Sequence, residues 1–287
     1  MTSNISISSS AMLVDLSIGT WTARKLDKKV TDEVNTSKNA SSQASRVNKN
    51  LLPGVDQLEK IVKYGAMVRN WVYDKTLPWS DYGPRLIPTA AFFDFKRTLD
   101  EHEAEFNRLV DTFIAEYPTL ISAQAFKLGD MFSRDEYPDV EDIASKFRFR
   151  ATFLPVPDSG DFRVDIGNEA MDVLREQYER EYLDRLNGAI ADVRVRLLEG
   201  LHHLSDRLSP DDNGDRKRFR NNMLETFAET IASVRALNLT KDEAIESLAL
   251  EAERAVAGVD IDIVKENDTA RANVLARVNS VLEAFEI

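Results

Sequence analysis

The chain has 287 residues, of which 43% are hydrophobic and 8% aromatic, and this is enough apolar material for one large folded domain or two ordinary ones. Its 37 basic and 49 acidic residues give a net charge of −12, which disfavours unspecific attraction to nucleic acid, so any nucleic-acid site must be a local patch. The sequence has no cysteine, and this excludes disulfides, thiol nucleophiles and thiolate-bound metals.

The sequence also indicates where the protein resides. Its apolar runs fall short of the ~20 residues that a membrane helix needs, and the opening MTSNISISSS lacks the basic and then apolar order of a secretory signal. We therefore expect a cytoplasmic protein that has no membrane partner.

The first 52 residues form the first predicted division of the chain. Residues 11–19 are rich in β-branched and apolar side chains, and they predict a strand that ends near Gly19. Residues 24–50 are rich in Ser, Asn and Lys, with seven basic and three acidic residues, so we expect a basic, low-complexity loop or mobile arm there.

The second predicted division, 53–166, begins with helices. Pro53 can open a helix that keeps its apolar spacing to about Tyr73. Thr89 can cap a second helix, which we expect to end at Tyr117 and Pro118, because a proline inside a helix removes a hydrogen bond. A further helix or helix pair is predicted from residue 119 to about 131.

Residues 146–166, KFRFRATFLPVPDSGDFRVDI, predict a β-hairpin with unlike faces. Successive side chains of a strand point to opposite sides, so Lys146, Arg148 and Arg150 share one face. The alternating phenylalanines form the other face, and the return strand would add Arg163 to the basic side. The hairpin thus combines an aromatic underside with a cationic top.

The third division, 167–287, carries the longest helical pattern. Asn168 can cap a helix whose apolar stripe runs from Met171 to Leu208, and a helix of that length needs a partner helix in the same chain or in another one. Shorter amphipathic helices follow. The expected fold is a predominantly α-helical α+β protein in which long antiparallel, coiled-coil-like helices accompany a small antiparallel sheet.

Two groups of cations are candidate sites for nucleic acid or another anion. One is the hairpin face, formed by Lys146, Arg148, Arg150 and Arg163. The other lies in the basic arm and comprises Arg24, Lys25, Lys28 and Lys29. Cations of this kind can neutralise phosphates. The alternative for the hairpin face is an edge strand protected by charge, and the alternative for the basic arm is a plain linker.

A third cationic run surrounds Phe219 and precedes a predicted helix. Basic residues there oppose the helix dipole, which favours an anionic partner. The alternative is that the acidic residues just upstream supply the countercharge within the chain. The run comprises Arg216, Lys217, Arg218 and Arg220.

The sequence offers no catalytic motif. It has no glycine-rich phosphate loop, GxSxG or HExxH pattern. The turn at 211–222 fails the calcium-loop pattern because Arg216 stands in place of the glycine, and His202 with Asp206 lacks a third metal ligand. We therefore expect a protein that is not an enzyme and that holds no metal or cofactor.

Three segments resemble a family of uncharacterised bacteriophage and bacterial proteins that is known as a domain of unknown function. They are LVDLSIGTWTARKLDKKVT, LDEHEAEFNRLVDTFIAEYPTLI and the FRFRATFLPV strand before a long helix. The resemblance covers about the first two-thirds of the chain. It implies a phage or mobile-element origin, with the host cytoplasm as the location, and it carries over no catalytic residues.

These features give two functional hypotheses. The first is a non-enzymatic, phage-type interaction protein that self-associates or docks to a protein partner, because its apolar stripe is longer than a compact core normally needs. The second is a single-stranded nucleic-acid-binding protein of phage replication or recombination. A third, acidic mimicry of DNA, is permitted by the charge of −12 but not favoured, because cations are interspersed with the acidic residues.

Overall fold

The computed structural model describes residues 7–80, 83–157 and 168–285, and for residues 168–172 and 175 it describes the backbone alone. Within these ranges the chain is mostly helical and carries a small sheet, so the predicted α+β class is confirmed. The strands are β1 (Ala11–Gly19), β2 (Arg24–Leu26), β3 (Asn48–Asn50), β4 (Leu77–Pro78), β5 (Arg85–Pro88) and β6 (Arg148–Pro155). The helices are α1 (Lys28–Ser37), α2 (Asp56–Lys75), α3 (Phe92–Leu128), α4 (Val140–Ala144), α5 (Asn168–Leu208), α6 (Met223–Leu237), α7 (Glu243–Val256), α8 (Ile261–Glu266) and α9 (Asp268–Phe285).

Strand β1 lies in a four-stranded sheet with the order β4-β5-β1-β6. It pairs antiparallel with β5, from Ala11 opposite Pro88 to Val14 opposite Arg85. The strand ends at Gly19, as the sequence predicts. A second sheet joins β2 to β3 in antiparallel register.

The described chain falls into two compact units, and each takes segments from distant parts of the sequence. Unit 1 comprises the described residues within 1–15, 72–95 and 152–287, and unit 2 comprises residues 16–71 and 96–151. In the sequence, the segments that contain unit 1 carry 19 basic and 32 acidic residues, whereas those of unit 2 carry 18 basic and 17 acidic ones. The net charge is therefore −13 for the segments of unit 1 and +1 for those of unit 2, so the negative net charge of the protein comes from unit 1.

The core of unit 1 is built on α5. This helix begins at Asn168, the residue expected to cap it, and its apolar stripe is buried against α6, α7 and α9 of the same chain. The buried stripe residues are Tyr182, Leu186, Ala189, Val193, Leu197, Leu201, Leu204 and Leu208. Because they recur at steps of three and four, they form one face of the helix. The partner helices that the stripe requires are thus supplied by this chain.

Unit 2 contains the segment 24–50, where a loop or mobile arm was expected, and the structure corrects this expectation. The segment forms β2, α1 and β3, and Asp27 caps α1 by accepting a hydrogen bond from the Val30 N–H at 3.1 Å. Buried polar side chains hold it together: Thr31 Oγ1 accepts from the Val47 N–H at 3.0 Å, and Asn35 Oδ1 accepts from Ser45 at 2.7 Å. The segment is fixed by hydrogen bonds and not by apolar burial. Its polar composition therefore resembles that of a disordered segment.

Lys49 of β3 is the most deeply buried cation of unit 2 for which the structure gives partners. Its ammonium donates to the Met131 carbonyl at 2.7 Å, and it lies 2.5 Å from Glu136 and 3.6 Å from Asp27. These contacts connect β3 to the segment that follows α3. A lysine at this position is tolerated because its charge is paired and hydrogen-bonded.

Two tyrosines reinforce the same region. The Tyr137 hydroxyl donates to the Leu51 carbonyl at 2.7 Å, and the Tyr117 hydroxyl donates to the Pro138 carbonyl at 3.1 Å. Burial raises the pKa of both phenols to about 12, so both stay neutral donors at ordinary pH.

Helix α3 continues through Pro118, where the sequence predicted a break. A proline in a helix interior costs about 3 kcal/mol because it removes one backbone hydrogen bond and crowds the preceding turn. Phe113 and Tyr117 are buried before the proline, and Ile121 and Gln124 are buried after it. Packing on both sides therefore outweighs the local cost, and the two predicted helices form one.

Candidate interaction surfaces

Strand β6 has the two unlike faces that its alternation predicts. In unit 2, Phe147 packs on Phe113 at 5.6 Å between ring centroids, and Phe149 packs on Phe106 at 5.7 Å. Both partners are buried residues of α3. The aromatic underside is thus half-buried and packs on α3 as part of the fold. The predicted return strand, with Arg163, lies outside the described residues.

The cationic face of β6 is exposed. Lys146, Arg148 and Arg150 all lie on the surface. Arg148 donates to the Ser17 hydroxyl at 3.1 Å, and its Cβ would lie 3.4 Å from a Cβ added at Gly19. Neither Lys146 nor Arg148 forms an ion pair with a described residue.

The second predicted group of cations lies on other elements of unit 2. Arg24 and Lys25 belong to β2, and Lys28 and Lys29 open α1; all four are exposed and form no ion pair within the described ranges. The two lysines add positive charge to the positive end of the α1 dipole. These cations belong to the two-stranded sheet and its helix, whereas Lys146 and Arg148 adjoin β1.

A further surface, which the sequence analysis missed, consists of four phenylalanine rings in unit 1. We name it the aromatic row: the buried Phe95 contacts Phe153 at 6.3 Å, Phe153 contacts Phe92 at 5.1 Å, and Phe92 contacts Phe93 at 5.4 Å. All three contacts are edge-to-face, the geometry that aromatic pairs favour. The row leads from the core to Phe93, which is 83% exposed.

A sequence signal for Phe93 was present. Phe92 and Phe95 are three residues apart and share one face of α3, whereas Phe93 follows Phe92 directly and must point about 100° away. A large aromatic residue outside the apolar stripe of its helix is therefore expected at the surface.

The described residues show no constellation of metal ligands, since no group of three or more His, Asp or Glu side chains converges there. His102 has a structural environment: its Nδ1 shares a hydrogen bond of 2.9 Å with the Tyr64 hydroxyl, and its ring packs on Trp71 at 5.0 Å. Burial lowers the pKa of this imidazole. In the turn at 211–215, Asp211 accepts hydrogen bonds from the N–H groups of Asn213 and Asp215, as in a polar turn.

Comparisons with known proteins give no relative: no family model matches the chain, and no curated protein or solved structure is similar to it. Across the described ranges, none of the helices combines the length and the apolar character that crossing a bilayer requires.

Proposed function

We propose that the protein is a non-enzymatic interaction protein that self-associates through the aromatic row. The observation that carries this proposal is Phe93, a ring that is 83% exposed yet is held by a row of packed rings. Anchored aromatic side chains of this kind are enriched at the centres of protein interfaces. The phage or mobile-element origin and the cytoplasmic location expected from the sequence remain part of the proposal.

A second copy of the chain is the partner that we propose for this surface. The α5 stripe does not supply the contact, because its residues from Tyr182 to Leu208 are covered within unit 1. A two-fold axis beside Phe93 would place this ring against its counterpart, and such a pair contributes about 0.5–1.5 kcal/mol beyond its buried area. Two copies that each carry −12 repel one another, so salt should strengthen this contact.

Sedimentation velocity from ~1 to ~100 µM, the range of a weak dimer, tests the proposal. We expect the wild type to shift from monomer to dimer, more readily as salt is added, and Phe93→Ser to stay monomeric. The matched control is Phe126→Ser, since Phe126 is 93% exposed on the same helix but belongs to unit 2.

Phe126→Ser should dimerise like the wild type. A wild-type protein that stays monomeric throughout the concentration range would contradict self-association. Equal losses of dimer in both serine variants would show that dimerisation depends on general surface hydrophobicity and not on the aromatic row.

Single-stranded nucleic-acid binding is the second candidate, and the exposed cations of unit 2 favour it. Six of them, Arg24, Lys25, Lys28, Lys29, Lys146 and Arg148, form no ion pair with a described residue. They stand in a unit that lacks the excess of acidic residues found in unit 1. Because the strand phenylalanines pack against other rings of the fold, we expect such binding to depend on phosphate contacts and its affinity to fall as salt rises.

Fluorescence anisotropy with a labelled oligonucleotide at ~50 mM salt, where electrostatic contacts are strong, tests this candidate. The double variant Lys146→Glu/Arg148→Glu should weaken binding and reduce the salt slope by about 0.7 for each phosphate that the variant no longer neutralises. The control Lys63→Glu/Arg108→Glu changes the charge equally at cations that are already paired with Glu59 and Glu105. If wild-type binding is undetectable, or if both double variants lose affinity equally, this candidate is wrong.

A further inference from the structure

A groove in unit 1 lies between α5 and the N-terminal part of α6. It encloses about 450 Å³, which is within the range of small-molecule sites. Its apolar floor is formed by Leu204, Met223 and Phe227, all of them buried. Gly200 also lines the groove, and a Cβ added there would come within 3.0 Å of the Phe227 ring, so the glycine lets this ring pack directly against α5.

Three arginines line the groove: Arg207 of α5, and Arg218 and Arg220 of the connecting segment. The described lining includes no carboxylate. Arg207 Nε lies 3.6 Å from Asp206, a distance longer than a good hydrogen bond. The groove is thus a cationic site in the acidic unit of an acidic protein.

The connecting segment explains why two of these arginines remain available. Arg216 donates to Asp268 at 2.6 Å, and Lys217 donates to Asp206 at 2.6 Å, so the structure supplies countercharge to half of the cationic run around Phe219. Arg218 and Arg220 are exposed, and their guanidinium groups form no hydrogen bond or ion pair with a described residue. The countercharge comes from Asp268 and Asp206, whereas the alternative from the sequence placed it on Asp211, Asp212 and Asp215.

The start of α6 adds to the positive potential of the groove. Helix α6 has 15 residues, and the side chain of its N-cap residue, Asn222, makes no capping hydrogen bond. The N–H groups of the first turn thus receive no acceptor from that side chain. Asn222 and Thr226 also line the groove and provide polar groups beside the arginines.

We propose that this groove binds a small organic phosphate, with its phosphate on Arg207, Arg218 and Arg220 and its aromatic or apolar body on the floor formed by Leu204, Met223 and Phe227. Guanidinium groups suit phosphate because they donate two parallel hydrogen bonds. The volume of the groove accommodates a ligand of about mononucleotide size. The site shares no residue with the aromatic row, and its proposal does not depend on self-association.

Isothermal titration calorimetry with adenosine monophosphate, phenyl phosphate, inorganic phosphate and adenosine tests the proposal. At least one of the two organic phosphates should bind about tenfold more tightly than inorganic phosphate, because only the organic ligands reach the floor. Adenosine, which lacks the phosphate, should bind more weakly than adenosine monophosphate.

The double variant Arg218→Gln/Arg220→Gln should lower the affinity for the better organic phosphate by about tenfold or more. The control Arg254→Gln/Arg277→Gln removes two exposed arginines of unit 1 outside the groove, and it should bind like the wild type. Circular dichroism verifies that both variants are folded.

Three results would overturn the proposal. The first is that neither organic phosphate binds at ~5 mM, the upper range of weak ligands. The second is an affinity for inorganic phosphate equal to that for the organic phosphates. The third is an equal reduction of affinity in the groove variant and the control.

Discussion

Replacing Lys49 by Met is expected to lower the free energy of unfolding by about 3 kcal/mol, because it leaves two carboxylates in a buried setting without their cation. Lys49 lies 2.5 Å from Glu136 and 3.6 Å from Asp27, and its side chain is 6% exposed. Methionine keeps the length and apolar stem of lysine, so the decrease reports the charge and not a cavity. Urea denaturation followed by circular dichroism measures it.

Two further variants make this prediction specific. Lys28→Met removes an exposed lysine of the same segment and should change stability by less than about 0.5 kcal/mol. Adding Glu136→Gln to Lys49→Met should restore part of the stability, since it removes one uncompensated charge. A Lys49→Met protein as stable as Lys28→Met would show that the ion pairs do not fix the segment 24–50.

The second large effect is expected at Arg271 of α9, which is 5% exposed. Its guanidinium donates to the carbonyls of Leu208 and Lys217, each at 2.8 Å, and to that of Arg207. It therefore caps the C-terminal end of α5 and holds the segment that carries the cationic run. Arg271→Met should lower the free energy of unfolding by about 3 kcal/mol, because three carbonyls lose their donor.

The matched control for Arg271 is Arg277→Met on the same helix. Arg277 is exposed and donates to one carbonyl, that of Ala257, at 3.5 Å. Its replacement should therefore lower the free energy of unfolding by less than about 0.5 kcal/mol. Thermal and urea unfolding of the two variants measure the difference. Equal stabilities would mean that α5 does not depend on Arg271 for its C-terminal cap.

The amphipathic elements could be predicted from the sequence because their buried faces require apolar residues at regular intervals. The α5 stripe repeats every three or four residues, and the phenylalanines of β6 repeat every two, so each pattern identified its element and its buried face. The start of α5 was predicted to within one residue, since Asn168, the expected N-cap, is the first residue of the helix.

Other features depend on contacts that produce no periodic pattern in the sequence. The segment 24–50 is held by hydrogen bonds of Thr31 and Asn35 and by the ion pairs of Lys49, and these partners are brought together only in three dimensions. Pro118 could not be recognised as an interior helix residue, because the compensating packing comes from tertiary structure. The groove is a further example, because the sequence indicated Arg218 and Arg220 as part of a cationic run but gave no sign of the apolar floor beside them.

A chain without cysteine allows the most direct test of the proposed self-association. Ala90→Cys places a single thiol three residues before Phe93, and Ala123→Cys places one three residues before Phe126; both alanines are exposed. The rate of thiol alkylation is then measured from ~1 to ~100 µM protein, across which a weak dimer would form. We predict that alkylation slows with concentration at residue 90 and stays constant at residue 123. A rate at residue 90 that does not depend on concentration would contradict the account.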